Sequence, residues 1–411
     1  IPYAQESRGL GDVYKRQGKA SAHGSPLGEE EIKLIREIFE WNYEPFHLPE
    51  ETKKAWLSIG KRNKVIKEQW LNNLENMSNN NKIQTGINNI SNEWFRANID
   101  RKTLKNLSKR TDYEGWKHII IFTLSLTGLG ILSAYFWQTW WFIPLYLAYC
   151  MFWGGADAIW HECGHRTAFR TRKLNDLFYH IASFMNNFEP VRWRWSHSLH
   201  HSYTASVDPH DYEADGSIFS KHTLFSFLIN FIPGIGFFTI HKSLYVEIIQ
   251  HALGIKTDVM RDCIPEDKTK DCINSSRIFV LLWISIIAIS IYFASLLPIL
   301  LFLVPKFFST FNSIWGLTQH MGLQENTKDH RLSTRSVRLN PIFSFIYWKM
   351  EYHIEHHMFP LVPSHNLPKL HKLIKHELPK PQTLFQAYKE IIPAVIKKAK
   401  DPKYFIPVKI P

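Results

Sequence analysis

The chain of 411 residues carries a formal net charge of +12, is 45% hydrophobic and has a mean hydropathy of −0.22. This average excludes a pure membrane bundle, and it results from long polar flanks around a few very apolar stretches. The basic charge does not indicate nucleic-acid binding, because no zinc-finger, RRM or similar signature accompanies it. Basic loops beside apolar stretches, together with 15 Trp residues, instead indicate a membrane protein with an aromatic belt.

The N-terminal part of the chain is polar. Residues 1–17 lack both an initiating Met and the apolar core of a signal peptide, so we interpret them as a non-native leader. Residues 18–116 are predicted to form a polar cytoplasmic region. Within this region Trp94–Lys109 is basic and amphipathic, which favours a helix at the membrane interface over a fully solvated one.

Two apolar stretches follow, and they are predicted to form a membrane hairpin. His118–Trp137 has about the twenty residues that a helix needs to cross the hydrocarbon core. Phe142–Trp160 returns after a short turn. The hairpin therefore brings His161 back to the side at which the chain entered. Basic residues follow at once and mark that side as cytoplasmic: Arg166, Arg170, Arg172 and Lys173.

Three histidine clusters carry the strongest chemical signal. Trp160–His165 reads W-H-E-C-G-H, and two later stretches read H-S-L-H-H and H-I-E-H-H. Because positions i, i+3 and i+4 share one helix face, each cluster is expected to aim its imidazoles at one point. Imidazole binds iron, copper, zinc and nickel, and so many imidazoles indicate a multinuclear metal site. The histidines are His161, His165, His197, His200, His201, His353, His356 and His357.

Two acidic residues are candidates for orienting these imidazoles. A metal-bound histidine usually donates its other N–H to a carboxylate or a carbonyl. Asp157 lies one helical turn before His161, and Asp211 follows the second cluster. A surface position is an equally good interpretation of Asp211. Asp157 is harder to explain in that way, because a carboxylate near the end of a span is costly and usually functional.

The path between the second and third clusters has two interpretations, since an even number of crossings must separate clusters that meet. In the favoured one, Ile278–Leu296 and Leu297–Leu317 form a tight hairpin, and Thr223–Ile240 lies in the interface. This favoured arrangement places Lys306 within a span, which is an awkward position for a charged residue. In the alternative, Thr223–Ile240 and Ile278–Val304 each cross. Both predict an all-α fold with four spans and a cytoplasmic helical cap that carries the histidines.

The cysteines and the C-terminal tail give weaker signals. Cys150, Cys163, Cys263 and Cys272 form no C-x-x-C pair, so they do not indicate a structural zinc site. We interpret Cys263 and Cys272 as reduced thiols on the cytoplasmic side that a thiol reagent would reach from that face, with a disulfide as the minority alternative. The basic tail, residues 381–411, is predicted to be solvated, with a docking surface for an acidic electron donor as the alternative.

In their order and their placement around apolar segments, the three clusters resemble the histidine boxes of the membrane fatty acid desaturase family, from roughly residue 90 to residue 380. The resemblance implies a membrane domain at 117–380, two iron ions held by histidine, and O2 as the oxidant. It also implies a ninth histidine ligand, because Gln319-His320-Met321-Gly322 matches a lone histidine of the family. Some members carry Asn where this chain has Gly316, and Asn312 or Gln319 are candidates to replace it.

The stretch from Gln319 through Asp329-His330-Arg331 also resembles a bacterial branch of that family. This branch includes the rhizopine oxygenase and dihydrorhizobitoxine desaturase, whose substrates are small and polar. His330 itself lies in a polar, charged loop and is predicted to be no ligand.

Together these features predict a membrane-bound oxidoreductase that desaturates or hydroxylates a fatty acyl or lipid substrate, with a small polar amine as the alternative substrate. The sequence contains no nicotinamide fingerprint, haem motif or Cys-rich iron–sulfur run. Electrons are therefore expected from a separate ferredoxin, rubredoxin or cytochrome b5 type protein.

Two other functions fit the sequence less well. A metal transporter would repeat ionisable residues along its spans, and apart from Asp157 and Lys306 the predicted spans lack them. A zinc hydrolase needs only about three protein ligands, fewer than this chain supplies.

Overall fold

The computed structural model describes residues 28–44, 47–58, 67–68, 71, 94–215, 222–234 and 242–411. The chain divides into two compact units, residues 1–89 and 90–411. Residues 94–116 therefore belong to the second unit, whereas the sequence placed a boundary after residue 116. The predicted leader, residues 1–17, lies outside the described residues.

In the first unit, α1 covers Glu29–Ile38, and residues 50–58 are also helical. The described part of the second unit is mostly helical, which confirms the helical fold class. Its helices are α2 (Arg101–Leu107), α3 (Asp112–Tyr135), α4 (Phe142–Gly154), α5 (Ala156–Gly164), α6 (Arg172–Asn186), α7 (Pro190–Ser202), α8 (Leu224–Ile229), α9 (Lys242–Ala252), α10 (Asp258–Cys263), α11 (Thr269–Tyr292), α12 (Leu297–Phe302), α13 (Pro305–Phe308), α14 (Ser313–Gly316), α15 (His330–Ser333), α16 (Pro341–Ile346), α17 (His353–Met358), α18 (Leu367–Ile374) and α19 (Leu384–Lys400).

Short 3-10 turns and one small sheet complete the second unit. The turns are Glu266–Lys268, Thr310–Asn312 and Ser364–Asn366. Strands β1 (Val337–Arg338) and β2 (Gln382–Thr383) pair in parallel, with Val337 opposite Gln382.

Three helical stretches in the described part of the chain are long and apolar enough to cross a membrane: Arg101–Tyr135, Phe142–Gly164 and Glu266–Tyr292. The first contains α3, which begins where the hydroxyl of Thr111 accepts a hydrogen bond from the N–H of Glu114 at 3.3 Å. Such a cap satisfies a backbone donor at the helix start. Long apolar helices are thus present where the sequence predicted the first hairpin and the span after Ile278.

The predicted return span Leu297–Leu317 is broken into α12, α13, the turn Thr310–Asn312 and α14. Pro298 and Pro305 each lie in the first turn of a short helix, and proline cannot donate the backbone hydrogen bond that a continuous helix would need there. The hydroxyls of Tyr146 and Tyr149 on α4 donate to the carbonyls of Leu300 and Leu301 at 2.7 and 2.6 Å. The broken segment is therefore anchored to the second long helix.

The number of crossings stays a prediction. Helix α8 has only six residues, Leu224–Ile229, and the chain turns at 230–234. The rest of the predicted segment Thr223–Ile240, residues 235–240, lies outside the described residues. The described part thus contains no continuous spanning helix at this position.

A close approach of Ser309 and Asn312 to the backbone of Gly154 places the broken segment beside the histidine clusters. A Cβ atom at Gly154 would lie 2.7 Å from the Cβ of Ser309, closer than side chains pack. Gly154 therefore lets residues 309–312 lie directly on the helical stretch that leads into His161.

Candidate metal centre

Nine buried or half-buried histidines converge in two groups, and within each group the nitrogen atoms that could bind a metal lie within 4.8 Å of one another. The five-histidine group contains His161, His165, His197, His201 and His356. The four-histidine group contains His200, His320, His353 and His357. The structure thus brings together all eight histidines of the clusters and the lone His320.

Three helices and one turn carry these side chains. His161 lies on α5, and His165 caps its end. Helix α7 carries the second cluster and begins with Pro190. The carboxylate of the preceding Glu189 accepts hydrogen bonds from the N–H groups of Val191 and Arg192 at 3.0 and 2.6 Å. Helix α17 carries the third cluster, and His320 lies in the turn after α14.

The second and third clusters each divide between the two groups, so the prediction that one cluster aims at one point is wrong for both. His197 and His201 approach each other at 3.2 Å between their Nε2 atoms, but His200 joins the other group. His356 likewise separates from His353 and His357. The cause is helix geometry: at about 100° per residue, positions i and i+4 diverge by only about 40°, whereas neighbouring positions diverge by about 100°.

Two carboxylates and a backbone carbonyl hold the outer nitrogens of three rings. The carbonyl is that of Ser333, which lies 2.9 Å from Nδ1 of His320. Nδ1 of His200 lies 2.8 Å from Oδ2 of Asp211, the acid chosen from the sequence. Nδ1 of His197 lies 2.8 Å from Glu213, a residue that sequence reasoning missed although it stands two positions after Asp211. Such contacts fix the orientation of a ring and its tautomer.

Two further contacts orient the four-histidine group. The hydroxyl of Thr204 lies 3.2 Å from Nδ1 of His357, and the amide nitrogen of Gln319 lies 3.1 Å from Nδ1 of His353. Sequence reasoning missed Thr204. Gln319 contacts a histidine ring, while the amide nitrogen of Asn312 donates to the carbonyl of Met151 at 3.2 Å. Both of these amides line a cavity beside the histidines.

The predicted contact between Asp157 and His161 is absent. Neither ring nitrogen of His161 has a hydrogen-bond partner within the described residues. Asp157 instead lines the cavity that borders both histidine groups. Asp157 and His161 are one helical turn apart on the same face of the helix, but the carboxylate of Asp157 does not contact the imidazole of His161.

His330 is buried, although the sequence places it in a polar, charged loop. It is only 4% exposed and stacks on Trp94 with ring centroids 4.2 Å apart. Its ring centroid lies 5.2 Å from that of His357, and burial lowers its pKa to about 3. Charged neighbours in sequence were misleading here, because Trp94 covers the ring from a distant part of the chain.

Burial keeps most of the rings neutral at pH 7. Burial lowers the pKa of five members well below the ordinary value for histidine, and that of His320 to about 4. Neutral imidazole has the lone pair that a metal ion needs. The five are His165, His201, His353, His356 and His357.

His200 is the exception. Burial opposes a charge on its ring, but the nearby carboxylates of Asp211 and Glu213 outweigh burial and raise its pKa to about 9. Burial likewise opposes the charge on Asp211, yet His200 and backbone N–H groups lower the pKa of this carboxyl to about 2. An anionic Asp211 is thus available to stabilise a cation at His200, whether that cation is a proton or a metal ion.

The donor atoms fit two metal ions. Both groups consist entirely of imidazoles, the ligand type that iron, copper and zinc share. In the five-histidine group, Nε2 of His165 lies 2.8 Å from Nε2 of His197, and Nε2 of His356 lies 3.1 Å from Nε2 of His201. Both ring nitrogens of His161 are buried without a partner among the described residues, which is costly. A positive ion between the rings would bind the facing Nε2 lone pairs and a nitrogen of His161.

Comparison with known families gives two separate matches. The family model described as fatty acid desaturase matches residues 100–389, more than half of the chain. A second model, described as transketolase, thiamine diphosphate binding domain, matches residues 9–89. The two matches do not overlap, and the second begins within the segment predicted to be a leader.

The curated relatives that we compared match only the N-terminal part. The transketolase of Buchnera aphidicola subsp. Acyrthosiphon pisum is 49% identical over 53 residues, which is 13% of this chain and 8% of that protein. The transketolase of Rhodobacter capsulatus is 40% identical over 62 residues, or 15% of this chain and 9% of that protein. The chain thus spans less than a tenth of the length of these two relatives.

Proposed function

The chain belongs to the fatty acid desaturase family, and we propose that it is a membrane-bound enzyme whose nine histidines hold two iron ions for the O2-dependent oxidation of an unactivated C–H bond. The observation that carries the proposal is the convergence of buried imidazoles into one group of five and one group of four. This function rests on residues 100–389, because the transketolase match covers too little of that enzyme to support its activity.

The bound iron would supply the oxidation chemistry, which acid–base side chains cannot provide at neutral pH. The protein's own contribution is to hold and orient the ligands. Asp211 and Glu213 hold His200 and His197 from behind, and the backbone carbonyl of Ser333 holds Nδ1 of His320 at 2.9 Å. Burial of the rings excludes bulk water from the reacting position.

The electrons are proposed to come from an external donor of the ferredoxin, rubredoxin or cytochrome b5 type that docks on the cytoplasmic side. The basic residues after the first hairpin favour that orientation by the positive-inside rule. The last turn of α19 adds the exposed Lys397 and Lys400, which suits the sequence-based idea of a basic docking surface; the third lysine of that turn, Lys398, pairs with Glu325.

Two substrate classes follow from the sequence. A fatty acyl or lipid chain is the first expectation, and a small polar amine is the alternative. The cavity beside the histidines favours the alternative, because its lining includes Asp157, Lys306 and several hydroxyl and amide groups. Desaturation and hydroxylation are both compatible with the ligand set.

Metal analysis of the purified protein tests this function. We expect about two iron ions per chain, whereas one zinc ion in their place would support a hydrolase. We expect each of five substitutions to alanine to lower bound iron and remove activity: at His161, His197, His200, His353 and His356. The matched control is His376→Ala, since the side chain of His376 is 70% exposed. Full activity in any two of the five variants would refute the proposed centre.

Product analysis decides the reaction type. The enzyme is expressed with a reductase system, and host lipids and added small amines are analysed by mass spectrometry. Each oxidation event changes the mass by about −2 Da for desaturation or about +16 Da for hydroxylation.

A further inference from the structure

The cavity beside the metal centre is small, and its mostly apolar lining includes the side chains of Asp157 and Lys306. Its volume is about 230 Å³, roughly that of eight water molecules at about 30 Å³ each. Drug-sized ligands occupy larger cavities, of about 300–1,000 Å³. The described residues around this cavity therefore fit a compact molecule better than a long acyl chain.

A carboxylate without a partner faces this cavity. Asp157 forms no hydrogen bond or ion pair with any of the residues that the structure describes, and it lines the cavity together with His161 and His197. The positive charge of Lys306 acts on this carboxylate from beyond ion-pair distance, so the half-buried carboxylate is only partly compensated, which is costly. A cationic ligand group at this position would remove that cost.

An ammonium group faces the same cavity. Lys306 is only 8% exposed, and its Nζ donates to Oδ1 of Asn186 at 2.8 Å. A lysine ammonium has three N–H donors, so this bond leaves capacity for an anion. No ion pair joins Lys306 to Asp157 or to another acid in the described part of the chain, although both residues line the cavity.

Uncharged polar groups line the cavity together with these charges and the histidines. The hydroxyl of Thr310 and the amide oxygen of Asn312 are buried and have no hydrogen-bond partner within the described residues, and both residues line the cavity. The aromatic side chains of Trp193 and Phe188 line it as well. The cavity thus combines one negative and one positive group with polar and apolar contacts, as a small bifunctional molecule would require.

We propose that the substrate of this centre is a small zwitterion, whose ammonium group pairs with Asp157 and whose anionic group pairs with Lys306. This inference rests on the proposed function, since it places the carbon atoms of that molecule beside the two histidine groups. Asp157 and Lys306 are then binding residues that select the substrate and orient it. The pairing also explains why two opposite charges line one cavity without an ion pair between them.

Binding measurements on the purified full-length protein test the proposal. The probes are straight-chain aminoalkanoates of two to six carbons, the singly charged butylammonium and butanoate, and phosphatidylcholine vesicles with oleoyl chains. We expect at least one aminoalkanoate to bind in titration calorimetry, with the singly charged probes at least about tenfold weaker. This selectivity of the parent protein needs no variant, so it remains informative even if a variant fails to fold.

Two substitutions test which charged group of the ligand each of the two residues binds. Asp157→Asn is expected to weaken binding of the aminoalkanoate and of butylammonium by at least about 30-fold, the loss expected when one partner of a buried charge pair is removed. Lys306→Gln, which keeps a donor for Asn186, should weaken the aminoalkanoate and butanoate instead. The matched controls are Asp267→Asn and Lys270→Met, because both of these side chains are exposed.

The outcomes separate this proposal from the function on which it rests. If no aminoalkanoate binds the parent protein, or if both substitutions leave the affinities unchanged, the zwitterion proposal is wrong. Should the same preparation hold two iron ions and oxidise only the oleoyl chains, the zwitterion proposal is overturned while the diiron function stands. Zwitterion binding by a protein that never takes up iron would support the cavity assignment and refute the metal centre.

Discussion

Neighbouring histidines of one helix serve different groups in this centre. His200 and His201 are adjacent in sequence, yet the first joins the four-histidine group and the second joins the five-histidine group. An H-x-x-H-H cluster can therefore supply ligands to two ions at once. The sequence identified the residues because the spacing itself is unusual. The angle of about 100° between neighbouring positions separates His200 from His201, but which histidines of α7 and α17 meet in one group depends on how these helices pack, which spacing does not contain.

His320 is the member of the centre with the least support from spacing, since it belongs to no cluster. We predict that His320→Ala lowers bound iron to about one ion per chain and abolishes activity, because the four-histidine group would lose one of its four imidazole donors, the ligand type on which iron binding depends here. Metal content by mass spectrometry measures the change. His376→Ala is the control, because His330 is itself buried against Trp94 and would disturb packing. An iron content equal to that of the parent would leave eight ligands to be explained.

The partners of the rings were only partly predictable. Asp211 and Glu213 follow the second cluster closely, so acidic residues after a histidine cluster are a usable signal. The carbonyl of Ser333, which holds His320, has no signature because every residue has such a carbonyl. For Asp157 the sequence suggested a contact that the structure does not contain. Its spacing from His161 favoured a contact with that ring, but the carboxylate faces the cavity.

At the scale of elements, the broken segment from α12 to α14 decides the shape of the site. Hydropathy predicted a continuous span here, and the composition is indeed apolar. Pro298 and Pro305 interrupt it, and the resulting turn brings Lys306, Thr310 and Asn312 to the cavity. A continuous helix would keep Lys306 and Thr310 about 40° apart on one face but would place Asn312 about 160° away from Thr310, so the break is what brings Asn312 to the same cavity.

Gly154 allows this segment to approach, because any Cβ there would meet Ser309 at 2.7 Å. We predict that Gly154→Ala displaces residues 309–312, lowers stability by about 1–3 kcal/mol, as overpacking usually does, and weakens substrate binding more than iron binding. Thermal unfolding, iron content and KM measure the three effects.

The control for this substitution is Gly128→Ala, also within a long apolar helix. A Cβ at Gly128 would meet nothing within 4 Å, so its effect on stability should stay within about 1 kcal/mol, the difference in helix propensity between glycine and alanine. If Gly154→Ala and Gly128→Ala behave alike, the close contact of Ser309 and Asn312 with Gly154 does not position the cavity.

At the scale of the whole chain, two units correspond to two family matches. The unit of residues 90–411 contains the desaturase match at 100–389, and the unit of residues 1–89 contains the transketolase match at 9–89. Composition alone could not make this distinction, since both a transketolase segment and a cytoplasmic extension of a membrane enzyme are polar. The histidine clusters, by contrast, identified the family because few other proteins need that spacing.

The sequence also predicts the orientation of the chain in the membrane, with the histidine clusters on the cytoplasmic side. Thiol labelling tests this orientation. Cys263 and Cys272 are poor reporters of it, because they are only 7% and 0% exposed and burial raises the pKa of Cys263 to about 11. All four native cysteines are free and buried, which instead makes the parent protein a blank for introduced thiols. Asp267→Cys places a thiol on the exposed turn before α11, and Thr139→Cys places one on the exposed turn between α3 and α4.

We predict that a membrane-impermeant thiol reagent labels Thr139→Cys in intact cells and labels Asp267→Cys only after the cytoplasmic face is opened. The reason is the number of membrane crossings between the histidine clusters, which must be even for the clusters to meet on one side. The first hairpin returns the chain to the cytoplasmic side, and if the segment around α8 lies in the interface, no crossing separates the second cluster from residue 267. Labelling of Asp267→Cys in intact cells would show that this segment crosses. The span Glu266–Tyr292 would then run back toward the cytoplasm, and the broken segment from α12 to α14 would no longer need to cross for the third cluster to meet the first two.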